Sequence, residues 1–293
     1  MENLFDTIHD EGKNDYEYLP NSTNQWNTMK YKAKLKNMSE ILSLLSTDKL
    51  PMGPAIIGVS EIENYRVLED ILKQPALADR GYQYVHYEGE DQRGVDCAFF
   101  YNPKLFELTN SKLVPYVYIN DTIHKTRGFL IASGNIAGEK MHFIVNHWPS
   151  RAAASPARER AGEQVRAIKD SLLREDSAAK IVIMGDMNDD PMDKSMAVAL
   201  GAKRKPVDAG PTDLYNPWWD TLKKGYGTLM YKGKWNLFDQ IVFTGNLLGT
   251  DRSTLKFYKH EIFRRDFMFQ KEGKYKGYPK RTQAGGVWLN GYS

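Results

Sequence analysis

The sequence predicts an α/β (α+β) fold built in layers, and three observations carry that expectation. Apolar runs of strand length recur along the chain, other segments hold apolar residues at helical spacing, and no linker, charge block or internal repeat divides the 293 residues. A chain of this length can bury a substantial core, and sheet faces and helix stripes are stable only when covered by one another. One domain spanning residues 1–293 is therefore expected.

The elements follow in order. Trp26 to Leu45 sets Met29, Ala33, Leu35, Met38, Ile41, Leu42 and Leu45 at helical spacing with basic residues between them, which predicts a helix packed on a sheet. A strand over 55–60 and a helix over 64–73 come next, then aromatic-rich strands over 82–87 and 95–101. Further strands fit 127–133 and 140–146. Pro156 opens a helix over 156–174 whose Arg158, Arg160, Glu163 and Arg166 read as a solvated charged face. A strand over 180–184, a short helix over 193–200 and a strand over 239–243 complete the series.

Composition narrows little beyond this. A net charge of +3 and a pI near 8.6 are too mild to identify a nucleic-acid binder, although a local basic surface fits within that balance. The single cysteine, Cys97, excludes an intramolecular disulfide and a cysteine-based zinc site, and its apolar neighbours Ala98, Phe99 and Phe100 make it a core residue. Within residues 1–293 neither a signal peptide nor an apolar stretch of membrane-spanning length is expected. A monomer is the default expectation.

The richest segment is Ile181 to Pro191. Its apolar run fits a buried strand, and Gly185 then lets the backbone turn where Asp186 and Asn188 emerge together. A carboxylate can take a proton from water, and an amide can donate to an oxygen gaining charge, so the pair suits phosphate chemistry. Gly, Asp, Asn and Pro also cluster in plain turns, and Asp190 reads as a residue that only shapes this one. Two other apolar runs end in chemistry-bearing side chains, Pro54 to Asn64 with Glu61 and Glu63, and Met141 to Arg151 with His147. A fourth, Leu237 to Phe243, has Asp239 at its start. Strand alternation puts Glu61 and Glu63 on the same side, so spacing does not choose between them as a metal ligand.

Glu2 to Asp6, Ser60 to Asn64, Asn146 to Arg151, Gly185 to Asp189 and Phe238 to Val242 together resemble, in order and over essentially the whole chain, the endonuclease/exonuclease/phosphatase superfamily. Its best-known member is deoxyribonuclease I, and the likeness is to its bacterial branch. The resemblance implies a four-layer sandwich of two packed, mainly antiparallel β-sheets flanked by helices. It implies a divalent-metal-dependent phosphoesterase, with magnesium or manganese held by Glu61, an ion that prefers carboxylate oxygens and keeps several waters. His147 matches the position that contacts or protonates the phosphate, Asp96 a residue near the site that orients a histidine, and Asp239 an aspartate that orients a second histidine near the C-terminus. Arg151 is expected at the phosphate, where a guanidinium fork offers paired donors, and Arg93 either there or bracing the loop. Tyr118 and Trp148 are candidates for a substrate surface, with a core role the commoner one for aromatics, and His86, His124 and His142 are read as structural.

The family pattern also has an asparagine two residues before the counterpart of Glu2 and an Asp-His pair after the counterpart of Gly291-Tyr292-Ser293. On that pattern the chain is expected to be truncated at both ends, and export from a bacterial cell is expected only if a signal precedes it. The expected substrate is a phosphodiester in DNA or RNA. A phospholipid or small phosphorylated metabolite is the alternative within the superfamily, favoured if Tyr215 to Trp219 forms an exposed apolar contact, and a catalytically silent phosphate-binding protein is the alternative outside enzymes.

Overall fold

The computed structural model describes residues 1–118 and 125–292, so that His124 lies outside the described residues. Contacts divide the chain into two compact units, one formed by residues 1–105 with 263–293 and the other by residues 106–262.

In the first unit, helix α1 (Thr28–Ser43) starts at Asn27, whose side chain accepts from the Lys30 amide and so satisfies one of the unpaired donors of the first turn. Strand β1 (Ile56–Ile62), helix α2 (Tyr65–Leu72), strand β2 (Gln83–His86) and strand β3 (Asp96–Tyr101) follow. The three strands form an antiparallel sheet in the order β1-β3-β2. Every residue of the central β3 is buried, which explains its unbroken apolar run, and Cys97 lies among them as a core residue. Leu35, Met38, Val59, Ile62, Leu68, Ile71 and Phe100 share one core, the periodic faces of α1 and α2 covering the sheet.

The second unit is built on six strands, β4 (Glu107–Val114), β5 (Phe129–Ile136), β6 (Glu139–His147), β7 (Lys180–Asp186), β8 (Leu214–Tyr215) and β11 (Asp239–Thr244), in the order β4-β5-β6-β7-β11-β8. Among the described strands of this sheet, β6 and β7 are the pair that runs parallel. A parallel pair needs a crossover, supplied here by helix α3 (Ser155–Glu175) with Pro156 in its first turn. Ala161, Val165 and Leu172 of α3 pack into one core with Ile144, Ile181, Ile183 and Val242 of the sheet. A short helix α4 (Trp219–Lys223) and a hairpin of strands β9 (Leu229–Tyr231) and β10 (Lys234–Asn236) lie between β8 and β11.

Both units have the mixed strand-and-helix character expected of an α/β chain. The differences are local. The predicted helix over 193–200 is one π-helical turn, Ser195–Ala199. Strand β4 escaped the sequence reading because its polar sequence suits an edge strand with most residues partly or fully exposed. Arg158 is not part of a solvated face. It is buried, donates Nη1 to the carbonyls of Ser150 and Ala153, and sets Nε 2.9 Å from Asp189 Oδ1. Trp218, in the segment considered as an apolar contact, is also buried, with its indole N–H on the Ile241 carbonyl. No described helix is long and apolar enough to cross a membrane.

Candidate active site

Sheet register assembles most of the candidates in the second unit. The parallel pairing of β6 and β7 sets His147 opposite Asp186, and the antiparallel pairing of β7 and β11 sets Asp239 opposite Asp186. Three residues from distant parts of the sequence thus end three neighbouring strands on one rung, where adjacent strands are about 4.8 Å apart. His147 Nε2 lies 3.8 Å from Asp186 Oδ2. The turn after Asp186 brings in the fourth group. The Asn188 amide N–H donates to Asp186 Oδ1 at 2.8 Å, and Asn188 Nδ2 donates to the Trp148 carbonyl at 2.9 Å, which orients the amide and leaves its second N–H as a donor.

This turn demands its residues. Gly185 has φ of +131°, and a Cβ there would sit 2.0 Å from the Asn146 carbonyl oxygen, so no other side chain fits. Asn188 is left-handed at φ +52°, a conformation asparagine tolerates better than most residues. Beneath the turn, Asn146 Nδ2 donates to the carbonyls of Ile144 and Met184, and its Oδ1 accepts the Trp148 indole N–H. Trp148 is fully buried and belongs to the core.

Arg127, just before β5, was not singled out in the sequence. It is buried and donates Nε to the His147 carbonyl, and Nη2 to the Trp148 carbonyl and, at 2.8 Å, to His147 Nε2. A guanidinium has no acceptor, so Nε2 of His147 accepts and the ring proton belongs on Nδ1. Nothing in its local sequence marks Arg127, because its partner is twenty residues away and meets it through the β5-β6 pairing.

Arg151, in the loop between β6 and α3, is engaged by the segment that follows β7. It donates to the Asn188 carbonyl, to Asp193 at 2.8 Å and to Asp190 at 3.3 Å, while its guanidinium lies 4.4 Å from the centre of the Phe238 ring. Asp190 also accepts the Leu237 amide at 2.7 Å, and burial lifts its carboxyl above the usual range. It therefore ties the turn to the strand carrying Asp239, a larger part than shaping the turn.

In the first unit Glu61 and Glu63 do not share a side, as strand alternation had them do. Ser60 pairs with Cys97 and Ile62 with Asp96, so Glu61 is the extra residue of a β-bulge, left-handed at φ +60°. The bulge breaks the alternation and parts the two carboxylates. Glu63 turns inward, accepts the Asp6 amide at 2.7 Å and is almost wholly buried. Burial, reinforced by the nearby Asp6 charge, pushes its carboxyl up to about 9. Glu61 stays about one-fifth exposed, accepts the Asn3 amide at 3.0 Å on Oε2, and has Arg93 Nη2 4.0 Å from Oε1. Arg93 also donates to Asn3 Oδ1, so it braces the Glu61 corner. Carboxylate and amide oxygens at an accessible corner are the donor set a hard divalent cation takes. Asn64, read as a turn residue, caps α2 through the amides of Arg66 and Val67.

Asp96 is buried. It accepts the Gly89 amide on Oδ1 and meets His86 Nε2 at 3.3 Å on Oδ2, so the histidine beside it in this unit is His86. His86, Glu88 and Asp96 bring ligand atoms within 4.8 Å of one another. His142 bonds Ser133 Oγ inside the second sheet, and burial lowers its ring below the ordinary histidine range, as suits a structural residue.

Known proteins share this architecture. The profile of the Endonuclease/Exonuclease/phosphatase family matches residues 1–293. No curated protein matches the sequence. Among solved structures, ANGEL2, a 2′,3′-cyclic phosphatase, in complex with adenosine-2′,3′-vanadate, is similar with a TM-score of 0.56 at 10% identity, over 74% of this chain and 75% of that one. Truncated Caenorhabditis elegans TDP2 gives 0.51 at 16% identity over 75% and 80%. D. rerio TDP2 complexed with a single strand DNA product gives 0.50 at 16% identity over 74% and 79%. At such identities the likeness is one of fold.

Proposed function

Since the chain belongs to the Endonuclease/Exonuclease/phosphatase family and is a phosphoesterase of that family, we propose that it hydrolyses phosphodiester bonds in nucleic acid with magnesium or manganese. The observation that carries this reading is the shared rung of His147, Asp186 and Asp239, with Asn188 held over it by Trp148. Asp186 takes the proton of the attacking water, its Oδ1 already positioned by the Asn188 amide. The remaining N–H of the Asn188 side chain donates to the phosphate oxygen that gains charge. His147, fixed in one tautomer by Arg127, orders the corner beside Asp186, and Asp239, at the start of β11, adds a second carboxylate to the same rung. In the first unit Glu61, braced by Asn3 and Arg93, would hold the divalent ion, which when bound neutralises phosphate charge and lowers the pKa of water.

The nucleic-acid reading finds support in the TDP2 relative solved with a single strand DNA product, and in the burial of Trp218 in the segment considered as an apolar lipid contact. The test is hydrolysis of bis(4-nitrophenyl) phosphate and of single- and double-stranded oligonucleotides, with magnesium, with manganese and with EDTA. Cleavage of the oligonucleotides that EDTA abolishes is expected. Cleavage of phospholipids or small phosphomonoesters in preference to them would replace the substrate class, and no hydrolysis of any of them would leave a silent phosphate-binding protein.

A further inference from the structure

The β9-β10 hairpin has no role in the chemistry above, yet it is built on the floor of that chemistry. Asn236 Oδ1 accepts from Arg151, and Thr228 Oγ1 accepts the amides of Phe238 and Asp239, so its base is anchored to the loop and strand that carry the candidate residues. Tyr231 pairs with Lys234, and Leu229 with Asn236, which puts all four side chains on one face of the ribbon. Tyr231 is 63% and Leu229 40% exposed.

The tip is unusual. Lys232 and Gly233 form a two-residue turn with φ of +47° and +79°, a geometry in which both central positions favour Gly, Asn or Asp. A lysine there is a costly choice for stability, and its ammonium lies 5.3 Å from the centre of the Tyr231 ring. Residues 221–238 contain four lysines, Lys223, Lys224, Lys232 and Lys234, all exposed, and no acidic or arginine residue. A hairpin meant for a bilayer interior would carry apolar residues at its tip. This one carries a cation over an exposed ring, the combination that receives a phosphate backbone and a stacked base.

We propose that the β9-β10 hairpin docks a single strand of nucleic acid, with Tyr231 stacking on a base and Lys232 and Lys234 contacting backbone phosphates. This inference rests on the proposed function, whose substrate it narrows to a polymeric strand. It is tested by fluorescence anisotropy with a labelled single-stranded oligonucleotide of about 12 nucleotides, within the usual range of site sizes, in EDTA so that binding is read without turnover. Tyr231→Ala should weaken binding about 10-fold, the scale of one lost base stack. Lys232→Asn with Lys234→Gln keeps a residue suited to the left-handed turn, and should make the slope of log affinity against log salt shallower by about 1.4.

Unchanged affinity and salt slope in these variants would overturn the proposal. So would a loss of binding to phosphatidylserine vesicles with oligonucleotide binding intact, which would assign the hairpin to a membrane surface. Hydrolysis of bis(4-nitrophenyl) phosphate should be the same in the variants as in the unaltered chain, and a parallel fall would mean that the hairpin only supports the floor. A chain that binds through the hairpin but hydrolyses no phosphodiester would uphold this inference and defeat the proposed function alone.

Discussion

Two turns, one in each unit, end apolar strands with a left-handed residue that is not glycine, and they reach that end by different means. After β7 the turn is set by register. Neighbouring strands place His147 and Asp239 beside Asp186, and Gly185 yields the close approach that lets Asn188 follow. At the end of β1 the geometry is set by a break in register within the strand, the bulge at Glu61, which sends one carboxylate toward solvent and its neighbour two residues on into the interior. Strand alternation works as a guide for the first and fails for the second, because a bulge changes which face every later side chain takes. Left-handed φ at a residue other than glycine costs about 1–3 kcal/mol. Glu61 and Asn188 share it with Asn3, Gln25, Ala137, Lys232 and Asn290 among the described residues, so it is the bulge and the register, not the φ alone, that distinguish the two turns.

The comparison can be broken most sharply at the β7 turn. Asp186→Asn and Asn188→Ala should each lower turnover of a phosphodiester by roughly 10² to 10³, the scale of losing a positioned base or charge-stabilising donor. Steady-state kinetics on purified variants would read this, and small, equal effects would reduce the turn to a strand corner. At the β1 turn, Glu61→Gln should raise the magnesium needed for half-maximal activity by at least about 10-fold, as expected when a metal site loses a supporting group. Its stability should shift by only about 0.5 kcal/mol, since the side chain is near the surface. Activity at limiting magnesium equal to that of the unaltered chain would remove Glu61 from the ion.

Glu63 sharpens the contrast through pH. Its carboxyl is pushed up to about 9 in the folded chain against an ordinary 4.5, so the folded state holds a proton that the unfolded state releases. Its contribution to stability is fully present below about pH 4.5 and is lost as pH rises toward 9. Glu63→Gln keeps an acceptor for the Asp6 amide and removes the titration. The variant should therefore melt higher than the unaltered chain at pH 8 and show a smaller difference at pH 5, by calorimetry. An equal difference at both values would show that Glu63 ionises normally in the folded chain. The smallest effect is expected from Arg151→Ala. Arg151 spends its guanidinium on the loop carboxylates, so the loss should be about 1 kcal/mol of stability and a few-fold in turnover, with KM unchanged. A selective rise in KM would return Arg151 to the phosphate.

Much of this was legible in the sequence because it depends on local pattern. Apolar periodicity located α1 and apolar runs located the buried strands, since burial of one face imposes that spacing wherever the element sits, while Pro156 marked the start of α3. The Gly185-Asp186-Met187-Asn188 turn was legible as well, because only glycine fits beside Asn146 and the chemistry-bearing residues follow it directly. Less was legible where strands are short or polar, as in β4 and the β9-β10 hairpin, whose pairing depends on neighbours more than on their own composition.

The sequence by itself determined the α/β class, the order of the main elements and the set of strand ends that carry polar chemistry, because these follow from hydrophobic period and turn residues. Only the tertiary structure decided which side chains meet. The β6-β7-β11 register joins His147, Asp186 and Asp239, the β5-β6 pairing hands His147 to Arg127, and the bulge separates Glu61 from Glu63. Arg151 and Arg158, both open to a phosphate or solvent role in the sequence, are drawn to loop carboxylates and carbonyls instead. The physical reason is common to all of them. Contact between residues distant in sequence is set by strand register and by competition for buried hydrogen-bond partners, and neither leaves a mark on the spacing of one segment.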